Sequence, residues 1–251
     1  MSKEKRLYFN TLVTKFKKSD ASDESVEAIF DFIYLLEEKK RDHHETILLV
    51  EVYSLLGLHQ KAYDLFLQLK THSFSSKETK KHQKKLQELV KNTKLDTRFY
   101  YRDLRQARIP KEATILTKND FSVTLEEESH LVKIHETINS IVVLNKYVPN
   151  ADIFISADEL NFNLIQSYIV WLGNCKQELI DFYNQHTFDH KIERVDEKWF
   201  HGLDVWDVEI EIKEGSIYGN ITITDYFNGN LGFHLETKDY SIYAIEYDPI
   251  L

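Results

Sequence analysis

Histidines are the side chains in this sequence whose spacing could hold a metal ion. His186 and His190 are four residues apart, with Asp189 between them and His201 nearby. On a helix the two imidazoles would share one face, and that spacing suits zinc. No glutamate stands where the catalytic H-E-x-x-H pattern needs one, and residues 185–193 read as the end of a helix or a loop. We therefore expect no metal ion and no cofactor, with zinc kept as an alternative.

Carboxylates are the next candidates, because a pair of them can act as general acid and general base. Glu209 and Glu211 lie two residues apart, and Asp204 and Asp207 precede them. A general acid needs a carboxyl group whose pKa is raised by an apolar pocket, and the pattern places no carboxylate in one. We expect no catalytic residues. A hydrolase whose site assembles from dispersed acids and histidines stays an alternative.

Other familiar catalytic patterns are absent from the sequence. The glycines never form a G-x-G-x-x-G or G-x-x-x-x-G-K-[ST] phosphate loop, and there is no G-x-S-x-G elbow. Cys175 is the single cysteine, so no intrachain disulfide can form, and its amphipathic surroundings are typical of a buried structural thiol. No stretch is apolar enough to span a membrane. We expect a protein of the reducing cytoplasm.

Aromatic residues cluster shortly before the acidic end of the chain. Trp199, Phe200 and Trp206 surround His201 and Gly202. Such a cluster can belong to the core, or it can anchor a partner, since Trp and Tyr are enriched among the residues that dominate binding energy. Both interpretations stay open.

Charge is distributed unevenly along the chain. Residues 1–110 hold 22 Lys and Arg against 16 Asp and Glu, a balance of +6, whereas residues 111–251 hold 10 against 25, a balance of −15. An acidic surface keeps a protein soluble, and it can also attract a basic partner. We expect the partner to be a basic protein.

Hydrophobic spacing shows which elements would position these residues. From residue 7 to about residue 108, apolar residues recur at helical intervals and predict four or five helices. Side chains that satisfy the free backbone N–H groups of a first turn mark helix starts. The sequence carries three such signals: Asp42-x-x-Glu45, Ser75-x-x-Glu78 and Ser22.

A repeat of 34 residues is visible in the helical part. Three positions match across it: Ala28 corresponds to Ala62, Phe32 to Phe66 and Leu35 to Leu69. Together with Leu49, Tyr53 and Gly57, the second set resembles the tetratricopeptide repeat over residues 22–70, although Phe74 stands in place of the usual Pro. The resemblance implies helical hairpins. It also supplies an alternative function, an adaptor that binds a peptide or helix through residues 22–108.

A basic stretch, residues 77–108, closes the helical part, with Phe99, Tyr100 and Tyr101 interleaved among its lysines and arginines. Basic groups can neutralise phosphates and rings can stack on bases. The pattern is equally typical of a solvated or docked helix face, and an acidic protein is a poor general binder of nucleic acid. We do not expect nucleic acid as the partner.

After Pro110 the pattern changes to the period of strands. The short strands predicted first are Ala113–Leu116, Phe121–Leu125, Leu131–Ile134, Ile141–Leu144 and Ile153–Ile155. Ser156-x-x-Glu159 matches a capping box that would open one long amphipathic helix from about 158 to 185.

Strict alternation after residue 205 predicts a four-stranded antiparallel meander with turns at Glu214-Gly215 and Asn228-Gly229. The predicted fold class is therefore α+β. Helical hairpins form a domain at 1–108, and a mainly antiparallel sheet under one long helix forms a second domain at 109–251.

The segment Trp206–Pro249 resembles small domains of uncharacterised bacterial proteins, some of which are associated with toxin-immunity loci. Strands ending in Asp225-Tyr226 and a return through His234-Leu235-Glu236 carry this resemblance. It implies a non-enzymatic immunity-type protein whose carboxylates block the active site of a basic toxin. The residues expected to bind that partner are Trp206, Glu209, Glu211, Tyr218, Asp225 and Tyr226. The oligomeric state is not predicted.

Overall fold

The computed structural model describes residues 3–38, 40–69, 76–94, 100–126, 129–229 and 231–248. The chain divides into two compact units, Met1–Arg105 and Gln106–Leu251, and each is described by itself. The first unit is helical and the second combines helices with a mainly antiparallel sheet, so the fold is α+β. The sequence placed the boundary three residues later. Among the described helices, none has the length and apolar character needed to cross a membrane.

Five helices are described in the first unit: α1 (Lys3–Lys18), α2 (Asp23–Glu37), α3 (His43–Leu55), α4 (His59–Leu67) and α5 (Ser76–Thr93). The capping box that opens α3 is confirmed. Asp42 accepts a hydrogen bond from the Glu45 backbone at 2.8 Å, and the Asp42 backbone donates to the Glu45 carboxylate at 3.1 Å. Ser22 precedes α2, so the predicted helix start is confirmed, but the Ser22 side chain makes no capping hydrogen bond. Ser75 lies outside the described residues.

Helices α3 and α4 pack as a hairpin around the positions that resemble the tetratricopeptide repeat. Gly57 lies at the turn with φ +80°, a conformation that glycine adopts without steric cost. Ala62 is fully buried where the helices meet, and Leu49 and Phe66 are buried beside it. The helical hairpin is therefore present. Kinship with the repeat family stays a prediction, and its departure at Phe74 lies outside the described residues.

The second unit has these elements after a single helical turn, α6 (Arg105–Arg108): β1 (Phe121–Glu126), β2 (Ser129–Ile134), β3 (Ser140–Val143), β4 (Lys146–Pro149), β5 (Ile153–Ala157), α7 (Phe162–Asn174), α8 (Lys176–Gln185), α9 (Glu197–Gly202), β6 (Leu203–Lys213), β7 (Ser216–Asp225), β8 (Leu231–Lys238) and β9 (Ser241–Asp248). Strands β6 to β9 form the predicted meander, which is confirmed by their antiparallel registers.

The main sheet has seven strands in the order β1-β2-β5-β6-β7-β8-β9, and β3 pairs with β4 in a separate hairpin. Strand β5 runs parallel to β6, with Ile155 opposite Ile210, and every other neighbouring pair in the main sheet is antiparallel. This parallel contact places residues 153–157 between β2 and the central strand β6, although their partners on β6 lie 55 positions further along the chain.

The prediction of one helix from 158 to 185 is wrong. Two helices, α7 and α8, occupy this stretch, because Cys175 between them has φ −78° and ψ 26°, outside the helical region. Ser156 belongs to β5 rather than to a capping box, and Asn161 caps α7 by accepting from the Leu164 backbone at 3.1 Å. The apolar stripe looked continuous because both helices bury the same kind of face.

The predicted strand Ala113–Leu116 is also wrong, since these residues pair with no strand. Instead, the Thr114 hydroxyl accepts a hydrogen bond of 2.9 Å from the Val142 backbone. A side chain therefore satisfies a donor that a strand partner would otherwise satisfy.

The core of the second unit lies between one face of the main sheet and helices α7, α8 and α9. Tyr168 of α7 is fully buried and hydrogen-bonds Thr237 on β8. Gly219 on β7 lies below that hydroxyl, where a Cβ would come within 2.7 Å of Thr237 Oγ1 and would overlap the Tyr168 hydroxyl. We call this covered surface the inner face and the opposite surface the outer face.

Candidate functional site

Alternation along β6 decides which of its side chains reach the outer face. Val208, Ile210 and Ile212 are buried on the inner face, and Glu209 and Glu211 between them are exposed. Successive side chains of a strand point to opposite faces of its sheet, so the two glutamates share the outer face. Both carboxylates therefore face solvent.

Four strands place a row of side chains across the middle of the outer face. In register, Phe154 of β5 lies beside Glu209 of β6, which lies beside Asn220 of β7, which lies beside Glu236 of β8. Since neighbouring strands are about 4.8 Å apart, the backbones of Glu209 and Glu236 are about 10 Å from each other, with the side-chain amide of Asn220 between them.

A neighbouring row places Ser156, Glu211, Tyr218 and Lys238 side by side. Apart from Lys238, the members of both rows line a depression of about 510 Å³, with Leu131 and Tyr243 at its margins. We call it the central depression. Three of the predicted partner-binding residues, Glu209, Glu211 and Tyr218, are thus brought together.

Aromatic rings in the central depression already interact with charged groups. The Lys238 ammonium lies 5.0 Å from the centre of the Tyr218 ring, and its hydrogen bond with Tyr218 raises the pKa of Lys238. The Tyr243 hydroxyl is hydrogen-bonded to the Glu236 carboxylate, which raises the pKa of Tyr243 to about 12. Phe154 and Tyr243 are 55% and 53% exposed, so large apolar areas lie among the carboxylates.

Trp206 lies on the outer face but outside the central depression. It occupies the β-bulge between Val205 and Asp207, and its indole N–H donates to the Thr224 hydroxyl at 2.6 Å. The ring is 66% exposed. It lies three positions before Glu209 along the strand, a distance of about 10 Å. Of the aromatic cluster seen in the sequence, Trp206 alone is exposed, because Trp199 and Phe200 are buried in the core.

Asp225 and Tyr226 were predicted to bind the partner, and the structure contradicts this, because both are buried. The Asp225 carboxylate accepts hydrogen bonds from the Trp199 indole at 2.8 Å and from the Tyr247 hydroxyl at 2.6 Å. It also accepts from the backbone of Phe227 and Asn228. In β7, Asp225 follows the alternation of the inner-face isoleucines, so its place in the strand, rather than its charge, determines its burial.

The candidates for metal binding do not converge. His186 is exposed and stacks on Phe182, with ring centres 4.0 Å apart, whereas His201 is buried, and this burial lowers its pKa. Within the described ranges, no three His, Cys, Asp or Glu side chains are grouped so that they could hold a metal ion. Cys175 is fully buried, and its burial raises the thiol pKa to about 12.

Sequence reasoning missed Phe154, Asn220, Glu236 and Tyr243 as members of the candidate site. Glu236 could have been found, because alternation in β8 places it on the same face as His234 and Lys238. Tyr243 lies next to a register shift that alternation does not reveal, and Phe154 comes from the parallel strand β5. No local signal in the sequence indicates that pairing.

The helical unit has its own concavity, a groove of about 1260 Å³ between the ends of α2 and α4, the start of α3 and α5. Ile47, Leu65 and Leu69 line its apolar part, and Lys81 and Lys85 line its basic side. The basic stretch predicted at 77–108 thus contributes the exposed Lys81 and the partly buried Lys85 of α5 to this groove.

The aromatic residues of the basic stretch 77–108 are only partly described by the structure. Tyr101 packs edge-on against Phe16, with ring centres 5.1 Å apart, so that ring belongs to the helical unit. Phe99 lies outside the described residues.

Comparison of the chain with models of protein families, with curated proteins and with solved structures gives no match.

Proposed function

We propose that this protein is a non-enzymatic binding protein whose outer sheet face docks on a basic surface of another protein. One observation carries the proposal. The central depression places exposed aromatic rings, Phe154 and Tyr243, directly among the carboxylates of Glu209, Glu211 and Glu236.

That combination is typical of the centre of a protein interface. Aromatic side chains supply buried apolar area at little entropic cost, and they dominate the residues whose loss weakens binding most. Carboxylates around them accelerate encounter with a positive surface and disfavour acidic proteins. Trp206 extends the same face beyond the central depression.

The second unit carries most of the acidic charge, with a balance of −15 over residues 111–251, and this supports a basic partner. Within the proposal, the finer function is that of an immunity-type inhibitor. Its carboxylates would occupy the phosphate-binding or other basic groove of a toxin and exclude the toxin's substrate. This finer version rests on the resemblance of Trp206–Pro249.

The experiment compares two variants that change charge equally. Glu209→Lys with Glu211→Lys reverses two charges in the central depression, and Glu136→Lys with Glu193→Lys reverses two exposed charges outside the strands. Each tagged protein is purified from cells that make it naturally, and the retained proteins are identified and then purified. We expect one basic protein to bind the wild type and the control variant, and to lose at least a hundredfold in affinity for the first variant.

Equal retention by both variants would contradict the proposal, as would equal loss in both. The immunity-type inhibitor function requires a further property of the purified partner. The partner must have an enzymatic activity that the wild-type protein suppresses and the Glu209→Lys, Glu211→Lys variant does not.

A second candidate function is an adaptor that holds a peptide or helix in the groove of the helical unit. The observation that favours it is an apolar lining of Ile47, Leu65 and Leu69 beside two lysines. The charge reversal Lys81→Glu with Lys85→Glu distinguishes the two candidate functions. If the protein is an adaptor, this variant should lose partner binding. If the outer face is the binding surface, the variant should bind its partner as the wild type does.

A further inference from the structure

The central row of the outer face has an unusual polar residue at its middle. Asn220 lies between Glu209 and Glu236 on adjacent strands. Its side-chain oxygen is shielded from solvent and has no hydrogen-bond partner within the described part of the chain. A shielded polar atom without a partner costs about 1 to 3 kcal/mol, so its presence on an otherwise well-satisfied strand needs a reason.

A donor supplied by a ligand gives that reason. The row presents an amide oxygen with a carboxylate on each side, and the two glutamate side chains are long enough to converge over the asparagine. A metal ion is not favoured, because no set of three ligating side chains in the described residues is grouped tightly enough to hold one. Spaced acceptors instead suit a wide, flat cation with several donors.

The rings around the row suit the same kind of cation. A lysine of this chain, Lys238, already lies 5.0 Å from the centre of the Tyr218 ring. Phe154 at one end of the row and Tyr243 at the other leave more than half of their surface open. A guanidinium group stacks on such rings better than an ammonium group, and its five N–H donors lie in one plane.

We propose that the central depression is a pocket for one arginine side chain of the partner. Glu209 and Glu236 accept its outer N–H groups and Tyr243 or Phe154 covers its face. The Asn220 oxygen accepts from the middle of the guanidinium plane, which requires the side chains that shield it in the free protein to move aside when the arginine enters. This inference rests on the proposed function, because it names the partner group that the outer face selects.

The test uses two small probes on the full chain, the amides of N-acetyl-arginine and N-acetyl-lysine, which carry the same charge. Backbone amide chemical shifts are followed by NMR during titration with each probe. We expect saturable shifts at Phe154, Asn220 and Tyr243 with the arginine probe, and at least fivefold weaker binding of the lysine probe.

Three variants identify the acceptors. Glu209→Gln and Glu236→Gln each remove one negative charge, and Asn220→Leu removes the amide acceptor, all with little change in side-chain size. Each should weaken the arginine probe about tenfold, as loss of a charge-assisted hydrogen bond does. Glu246→Gln is the matched control, since Glu246 is exposed on the outer face beside His234, outside the central depression. It should leave binding within twofold of the wild type. Unchanged amide spectra without probe verify that each variant folds.

Equal binding of the two probes, or equal weakening by Glu236→Gln and Glu246→Gln, would mean general attraction to an acidic surface and would overturn the arginine pocket. An absence of saturable shifts would overturn it too. Neither outcome affects the co-purification test of the proposed function. Conversely, selective arginine binding together with a native partner that tolerates Glu209→Lys and Glu211→Lys would overturn the proposed function alone.

Discussion

Trp199 donates its indole N–H to the carboxylate of Asp225 across 2.8 Å in the core of the second unit. Tyr247 donates to the same carboxylate at 2.6 Å and hydrogen-bonds the Tyr183 hydroxyl at 3.1 Å. Burial and the Asp225 charge raise the pKa of Tyr247 far above its usual value, so the phenol stays a donor. These contacts tie α8, α9, β7 and β9 together beneath the outer face.

Replacement of Asp225 by Ala should destabilise the protein by about 3 kcal/mol or more, because it leaves buried donors on Trp199 and Tyr247 without an acceptor. Urea denaturation followed by tryptophan fluorescence measures the change. Glu246→Ala, an exposed change on the same sheet, is the control and should stay within about 0.5 kcal/mol of the wild type. Equal stability of the two variants would contradict the structural role of Asp225.

Gly219→Ala should cost about 1 to 3 kcal/mol, since its methyl group would overlap the buried Tyr168 hydroxyl. Tyr168→Phe removes that hydroxyl, so the double variant should be more stable than the sum of the two single changes predicts. A double-mutant cycle by urea denaturation gives the coupling. Strict additivity would show that the two residues do not share this space.

The cap of α3 gives a dependence on pH. The backbone N–H of Glu45 lowers the pKa of Asp42 below its ordinary value of 3.8. The unfolded chain therefore binds the proton more readily, so the contribution of Asp42 is complete above about pH 5 and is lost as pH falls through the lowered pKa. Asp42→Ala should cost about 1 kcal/mol at pH 7 and progressively less below pH 4. Circular dichroism at 222 nm during urea denaturation measures both, and a cost that grows on acidification would contradict the cap.

Cys175 should be inert in the folded protein. Its burial raises the thiol pKa to about 12, and the thiolate is the reactive species. At pH 8, a colorimetric disulfide reagent should react with the native chain at least a hundredfold more slowly than with the chain in 6 M guanidinium. Rapid stoichiometric reaction of the native chain would show that α7 and α8 do not enclose this residue.

Local chemistry explains which features were readable from the sequence. The Asp42 and Glu45 cap depends on neighbours three positions apart, and the meander depends on alternation between short turns, so both were predicted correctly. The exposure of Glu209 and Glu211 follows from that alternation. Asp225 was misplaced because its charge suggested the surface, although its position in β7 matches that of Ile221 and Ile223.

Long-range pairing explains what was not readable. The parallel contact of β5 with β6 joins residues 55 positions apart, and it brings Phe154 to Glu209. The break at Cys175 depends on how two helices pack on one sheet, which an apolar stripe does not record. The central depression could therefore be predicted only in the part that β6, β7 and β8 supply.

Site-specific photo-crosslinking in cells that make the protein tests the central claim most directly. A benzophenone side chain replaces Phe154 in the central depression, or Tyr147, which is 65% exposed on the separate β3-β4 hairpin. We expect a covalent adduct with one basic protein from position 154 and none from position 147. Adducts from position 147 alone, or the same adducts from both positions, would contradict the claim that the outer face is the binding surface.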